Sequence, residues 1–195
     1  MTIRTVALAA ALGTLSTFGV SLAAPVTFNI DPKHTYPSFE ADHMGGLSIW
    51  RGKLKNTSGT VVFDKEGRSG SVDVTVDVAS IDFGNDKLNE HARSEEMFNV
   101  AKFPTATYTG KLAAFRNGTP TEVDGQLKLH GVTRPLKLKI DSFLCKPNPM
   151  SGKETCGADA SAIFNRDEFG VDWGKNRGFG QQVKLQIQVE AIRAE

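Results

Sequence analysis

Val72-Asp73-Val74-Thr75-Val76-Asp77-Val78 sets an apolar side chain at every second position and a polar one between. Successive side chains on a β-strand point to opposite faces, so this run predicts a strand with one buried and one solvated face. The same period of two returns where Leu136, Leu138 and Ile140 alternate with Lys137 and Lys139. It returns again where Val183, Leu185, Ile187 and Val189 alternate with Lys184, Gln186, Gln188 and Glu190. Weaker strand signals occupy 26–31, 39–44, 47–54, 60–64, 105–111, 123–129 and 158–165, for an expected total of roughly eight to ten strands.

Turn-forming clusters separate these runs at short spacing, among them Lys65-Glu66-Gly67-Arg68-Ser69-Gly70 and Arg116-Asn117-Gly118-Thr119-Pro120. Such connections favour antiparallel pairing. The exception is 85–100, where Leu88, Ala92, Met97 and Phe98 have approximate helical spacing and Pro104 forbids continuation. One or two helical turns are expected there, lying outside the sheet or across one end of it. Many antiparallel strands with one buried face fit either a sandwich or a closed barrel. The distinction matters, because an eight-stranded barrel has room inside for one small or elongated ligand.

The first residues read as a secretory signal peptide: Arg4, an apolar run over 6–20, then Ser21-Leu22-Ala23-Ala24-Pro25. Cleavage is expected after Ala23, which puts the small residues Ser21 and Ala23 at the two positions that export processing requires. The apolar run falls short of the roughly 20 residues that span a bilayer, and no second one follows. Residues 24–195 are then expected to form one domain in the periplasm, with no transmembrane segment left after processing. That mature chain carries 22 basic and 22 acidic residues, a balance that leaves no electrostatic footprint for nucleic acid. Nor does it hold a polybasic cluster of the kind that binds anionic membranes. Homodimer formation stays open.

Only two cysteines occur, Cys145 and Cys156, and they flank a segment full of turn formers, Lys146-Pro147-Asn148-Pro149-Met150-Ser151-Gly152-Lys153-Glu154-Thr155. Export disfavours free thiols, so a disulfide stapling this loop is expected.

Catalytic signatures are mostly absent. The chain has no Gly-x-Ser-x-Gly elbow, no His-Glu-x-x-His helix and no phosphate-binding Gly-x-x-x-x-Gly-Lys loop. Gly178-Phe179-Gly180 lacks the third glycine of a dinucleotide loop and reads as a turn. His34, His43, His91 and His130 lie far apart with no local metal-ligand spacing. His43 shares the alternating face of Phe39 and Ala41, so it either aims a polar tip into an apolar interior or meets a backbone carbonyl at a strand end. His91 and Arg93 either supply donors to an anionic head group or sit on a solvated helix face. All aromatic residues but Phe18 fall in the mature chain, where they either form ordinary core or line a cavity.

Several motifs together resemble the YceI-like family of polyisoprenoid-binding periplasmic proteins. The first are Ile30-Asp31-Pro32-x-His34, Phe39-x-x-x-His43-x-Gly45, Gly59-Thr60-Val61-Val62-Phe63-Asp64 and Ala79-Ser80-Ile81-Asp82-Phe83-Gly84-Asn85. The most specific is Asn89-Glu90-His91-Ala92-Arg93-Ser94-Glu95-Glu96-Met97-Phe98-Asn99-Val100-Ala101-Lys102-Phe103-Pro104, similar to the family's segment almost position by position. Ala92 departs from its usual Leu and Met97 from its usual Phe, which bears on pocket shape more than on ligand class. The turn Leu129-His130-Gly131-Val132-Thr133-Arg134-Pro135 and the element Asn165-Arg166-Asp167-Glu168-Phe169-Gly170 extend the likeness over essentially the whole mature chain.

The resemblance implies an all-β fold, an elongated, lipocalin-like, eight-stranded antiparallel barrel whose interior holds an isoprenoid chain or another long amphiphile. Candidate lining residues are Phe39, Trp50, Phe83, Met97, Phe98, Phe103, Tyr108, Phe164, Phe169 and Trp173, with His43, Arg93 and Arg166 as polar contacts. Arg166 has the alternative role of holding a loop through hydrogen bonds to carbonyls. The expected function is binding, storage or transport of a polyprenyl or quinone-like lipid without catalysis, the bound lipid being the only cofactor-like group. The rival readings are a hydrolase or isomerase acting on a small amphiphile, and a stress-related protein that binds no lipid.

Overall fold

The computed structural model describes residues 24–195, so the signal peptide expected over 1–23 lies outside the described residues. The valine alternation forms β5 (Ser69–Asp77), and the other two strong alternations form parts of β9 (Val132–Pro147) and β11 (Gln182–Arg193). The remaining strands are β1 (Val26–Ile30), β2 (Tyr36–His43), β3 (Ser48–Leu54), β4 (Thr57–Asp64), β6 (Ile81–Asp82), β7 (Thr105–Ala113), β8 (Glu122–Leu129) and β10 (Glu154–Asn165), with one helix, α1 (Asp86–Arg93). Every pairing is antiparallel, and the order β1-β4-β5-β7-β8-β9-β10-β11 returns to β1. The sheet is therefore a closed eight-stranded barrel, and the choice between sandwich and barrel falls to the barrel.

Eleven strands occupy eight wall positions because the N-terminal part of the wall is built from interrupted strands. β11 pairs with β10 over Gln182–Ile192 on one edge, while its other edge is shared by β2 against 183–188 and β1 against 191–193. Thr35, only 2% exposed, sits at the seam. Its hydroxyl donates to the Glu190 carbonyl at 3.1 Å and accepts from the Glu190 N–H at 3.2 Å, replacing the ladder where the strand breaks. The matching break between β3 and β4 is closed by Ser80, whose hydroxyl oxygen accepts from the Lys55 and Asn56 amides and donates to the Asp77 carbonyl. Both breaks leave their backbone groups bonded, as burial demands.

Alternating strand direction gives the barrel two unlike ends. The connections at 44–47, 78–104, 130–131 and 166–181 gather at one end, and those at 65–68, 114–121 and 148–153 at the other. The long 78–104 segment crosses the first end. Its helix has about the two turns expected within 85–100: Asn85 caps α1 through the Leu88 amide, and the eight-residue helix stops at Arg93. Ser94 ends it by turning its hydroxyl onto the His91 carbonyl at 2.7 Å, a local bond that competes with helix continuation. Met97 and Phe98 therefore reach the barrel from a turn in which the Phe98 amide bonds to the Ala92 carbonyl.

Asp82 anchors this segment. Its carboxylate accepts from the Gly84 amide at 2.9 Å, from the Asn89 side-chain amide at 3.1 Å and from Lys55 at 3.2 Å. Those bonds, the Gly84 amide first, hold its pKa at about 2 against an ordinary 3.8.

Cys145 and Cys156 are direct partners across β9 and β10 and are joined by a disulfide. The bond staples the 148–153 hairpin at the end of the barrel opposite α1.

Replacing both cysteines by alanine should lower the free energy of unfolding by about 3 kcal/mol, from loop-closure entropy for a loop of this size; equal urea midpoints for oxidised wild type and the double variant would contradict it. Folding depresses the Asp82 pKa, so its contribution is present above 3.8 and is lost as the pH falls through about 2. The stability gap between wild type and Asp82→Asn should therefore narrow on acidification across that window, and a gap independent of pH would contradict the anchoring role.

Candidate ligand cavity

The inward halves of the alternating strands face one another across the barrel and leave a cavity of about 310 Å³ between them. That lies at the lower end of the range of roughly 300–1,000 Å³ typical of small-molecule sites. Val72, Val74 and Val76 line it from β5, Leu136, Leu138 and Ile140 from β9, and Val183, Leu185, Ile187 and Val189 from β11. The wall is therefore aliphatic along most of its length, while the two ends are aromatic and differ in accessibility.

At the end crossed by α1 the aromatic rings are half-buried and come from separate elements. His43 stacks on Trp50 with centroids 4.0 Å apart, and Phe179 stands edge-on to His43 at 5.2 Å and to Trp173 at 5.0 Å. His91 meets Trp173 at 4.7 Å, and Phe83 bridges Phe39 at 5.3 Å and Trp50 at 6.3 Å. Gly52 lets this packing form, because a Cβ there would stand 2.5 Å from the Phe39 ring. At the other end Phe28 is 2% exposed and Phe63 8%, with Leu112 and Val123 equally buried. The cavity thus has an accessible mouth and a sealed floor.

Arg166 organises the mouth. Its guanidinium donates to the carbonyls of Val171 at 2.8 Å, Trp173 at 2.9 Å and Gly180 at 3.3 Å, tying down the loop that presents Trp173 and Phe179. Burial pulls its pKa below the usual arginine value, an effect that nearby Asp167 and Asp172 oppose. No carboxylate lies within ion-pair distance of it among the described residues. Tyr108 is the polar intruder deeper in the wall. Its hydroxyl donates to the Leu136 carbonyl at 2.9 Å, with that of Val123 at 3.3 Å, and burial pushes its pKa up. The His91 imidazole also lines the cavity, and its buried Nε2 has no hydrogen-bond partner.

Of the residues singled out in the sequence, Phe39, Trp50, Phe83, Met97, Phe98, Tyr108, Phe164, Arg166 and Trp173 line the cavity. The other four lie outside its lining. His43 covers the Trp50 ring, and Arg93 reaches the Ala79 carbonyl at 3.3 Å. Phe103 packs on His130 with centroids 4.3 Å apart, and Phe169, 1% exposed, is core beneath Phe164. Sequence reading missed the floor residues Phe28, Phe63 and Phe143, although Val26, Phe28 and Ile30 alternate in β1 and carry the signal. It also read Phe179 only as part of a turn. Nothing local marks a ring inside a glycine-rich turn as part of a cavity.

Comparison with known proteins agrees with this architecture. A family model described as a YceI-like domain matches residues 28–191. Proteins named Protein YceI from Salmonella arizonae and Salmonella enteritidis are each 31% identical over 180 residues, covering 92% of this chain and 92% of theirs. The crystal structure of Burkholderia cenocepacia BcnA superposes with a TM-score of 0.65 at 22% identity, covering 83% of this chain and 99% of that one. A polyisoprenoid binding domain from Saccharophagus degradans, described as implicated in plant cell wall breakdown, has a TM-score of 0.62 at 14% identity and covers 87% and 99% of the two chains. At these identities the structural matches speak to the fold.

Lysine keeps the charge of Arg166 but cannot bond three carbonyls in fixed directions. Arg166→Lys should cost about 2 kcal/mol of stability, the scale for hydrogen bonds to a charged group. In a Trp50→Phe background, where Trp173 is the remaining tryptophan, acrylamide quenching of its fluorescence should rise; unchanged quenching would show that the loop holds without the guanidinium.

Proposed function

Because the chain belongs to the YceI-like family, we propose that it is a periplasmic protein that binds, stores or transports an isoprenoid-type lipid, a polyprenyl or quinone-like molecule, with the apolar chain inside the barrel. The observation that carries this reading is the course of the cavity wall, aliphatic from a half-exposed aromatic mouth to a buried phenylalanine floor. Each methylene drawn out of water into such a wall contributes about 0.8 kcal/mol. A long chain thus binds without catalytic groups, and a polar head group is met at the mouth, where Arg166 and His91 stand, while the Tyr108 hydroxyl deeper in is bonded to wall carbonyls.

In this reading Trp50, Phe83, Met97, Phe98, Phe164 and Trp173 meet the part of the chain nearest the head group, and Tyr108 the part further in. A solved relative in fold described as a polyisoprenoid binding domain supports the ligand class. The signal-like layout of residues 1–23 and the disulfide both support an exported protein working in an oxidising compartment. His43, on which a hydrolase reading turns, stacks on Trp50 outside the cavity lining, which favours binding over turnover.

Native mass spectrometry with organic extraction, on protein purified from the periplasm of its own host, should find about one isoprenoid or quinone per chain. A chain that is empty after gentle purification and unchanged by added isoprenoids would overturn the proposal.

A further inference from the structure

Taking that lipid-binding reading as its basis, we propose that Phe63 and Phe143 form a molecular stop whose position sets the longest isoprenoid chain the barrel accepts in full. The two rings meet edge to face with centroids 5.3 Å apart and an interplanar angle of 71°. They come from β4 and β9, which are not neighbours in the wall: β5, β7 and β8 lie between them on one side and β10, β11 and β1 on the other. A contact between opposite sides of a closed barrel has to cross its interior. The pair is a bar across the cavity, and Phe28 from β1 and Leu112 from β7 fill the space around it.

The bar is braced from the side away from the mouth. Phe143 lies opposite Ala158, and the disulfide between Cys145 and Cys156 ties the same two strands one inward-facing position further from the mouth. Phe63 lies opposite Gly70, whose missing side chain leaves room for Leu112 to pack in. Close packing of this kind does not yield cheaply to an incoming methyl group.

Depth then becomes a selectable quantity. From Val183 to Val189, which lies opposite Ala158 beside the bar, the lining of β11 runs for about 20 Å at roughly 3.4 Å per residue. That is about 16 Å along the axis for a strand tilted by roughly 40°. An isoprenoid that ends short of the bar leaves wall uncovered, and one that reaches it gains the full burial. A longer one must leave its excess in water at the mouth, because apolar burial stops increasing once the cavity is full. Neither the valines of the wall nor the aromatic mouth impose such a limit.

Displacement of a fluorescent prenyl probe by all-trans prenyl alcohols of increasing length, from geranylgeraniol upward, tests this on the full mature chain. For wild type each added isoprene unit should tighten binding at least about tenfold until a length at which the gain ceases. Phe63→Ala and Phe143→Ala should each move that length outward by one unit or more. Ala160→Phe, which adds a ring one inward position closer to the mouth than Ala158, should move it inward. Thermal unfolding of each variant checks its fold, and the half-buried Phe143 keeps the test available if Phe63→Ala does not fold. If wild type binds with a length limit that none of the folded variants shifts, the stop is wrong while lipid binding stands; if wild type binds no prenyl alcohol of any length, the lipid-binding reading itself falls.

Discussion

The barrel closes because β11 offers one edge to two strands. A twelve-residue strand leaves a long row of amides and carbonyls on each side, and an uncovered row is a template for pairing with another chain. β1 and β2 divide the row between them, and the Thr35 hydroxyl bonds Glu190 at the join, so the edge is satisfied although neither strand is long enough alone. Every other feature of the interior depends on that closure. Once the ring is shut, the inward half of each alternating strand has nowhere to point but the lumen.

Closure also explains why the wall breaks where it does. β2 continues the wall position of β1 toward the mouth and β3 that of β4, and β3 pairs in turn with the two-residue β6. They carry Phe39, His43 and Trp50 up to the mouth, where the 78–104 segment brings in Phe83 and His91. Among the lining residues Asp42, His91 and Arg166 stand at this end, and the floor is built from phenylalanine and leucine. An amphiphile entering such a cavity has one energetically favoured orientation, chain first, because a polar head at the floor would lose its water without finding a partner.

How far the sequence could be read differs by element. The strong alternations at 72–78, 136–140 and 183–189 depend only on the two-residue repeat of a strand, and they appear as inward and outward faces where expected. The disulfide was legible because its cysteines flank a turn-rich segment that folds back as a hairpin. The helix was legible as one or two turns within 85–100, while its end at Arg93, where the Ser94 bond decides, carries no signal in the apolar spacing. Among the candidate contacts, aromatics on strands such as Phe39, Trp50, Tyr108 and Phe164 reached the cavity, whereas Phe103 and Phe169 were drawn into packing on His130 and beneath Phe164.

The amino-acid sequence by itself determined the strands, which face of each is apolar, where the chain turns, and through its motifs the family, because all of these are local or nearly local properties of the chain. Only the tertiary structure decided that the sheet closes, that Phe63 and Phe143 meet across the interior, and that Phe179 joins the mouth. Those outcomes depend on which edges pair and on which side chains, distant in the chain, come to share one volume. A hydrophobic residue carries the same pattern whether it fills a core or lines a cavity, and only the positions of the opposing walls tell the two apart.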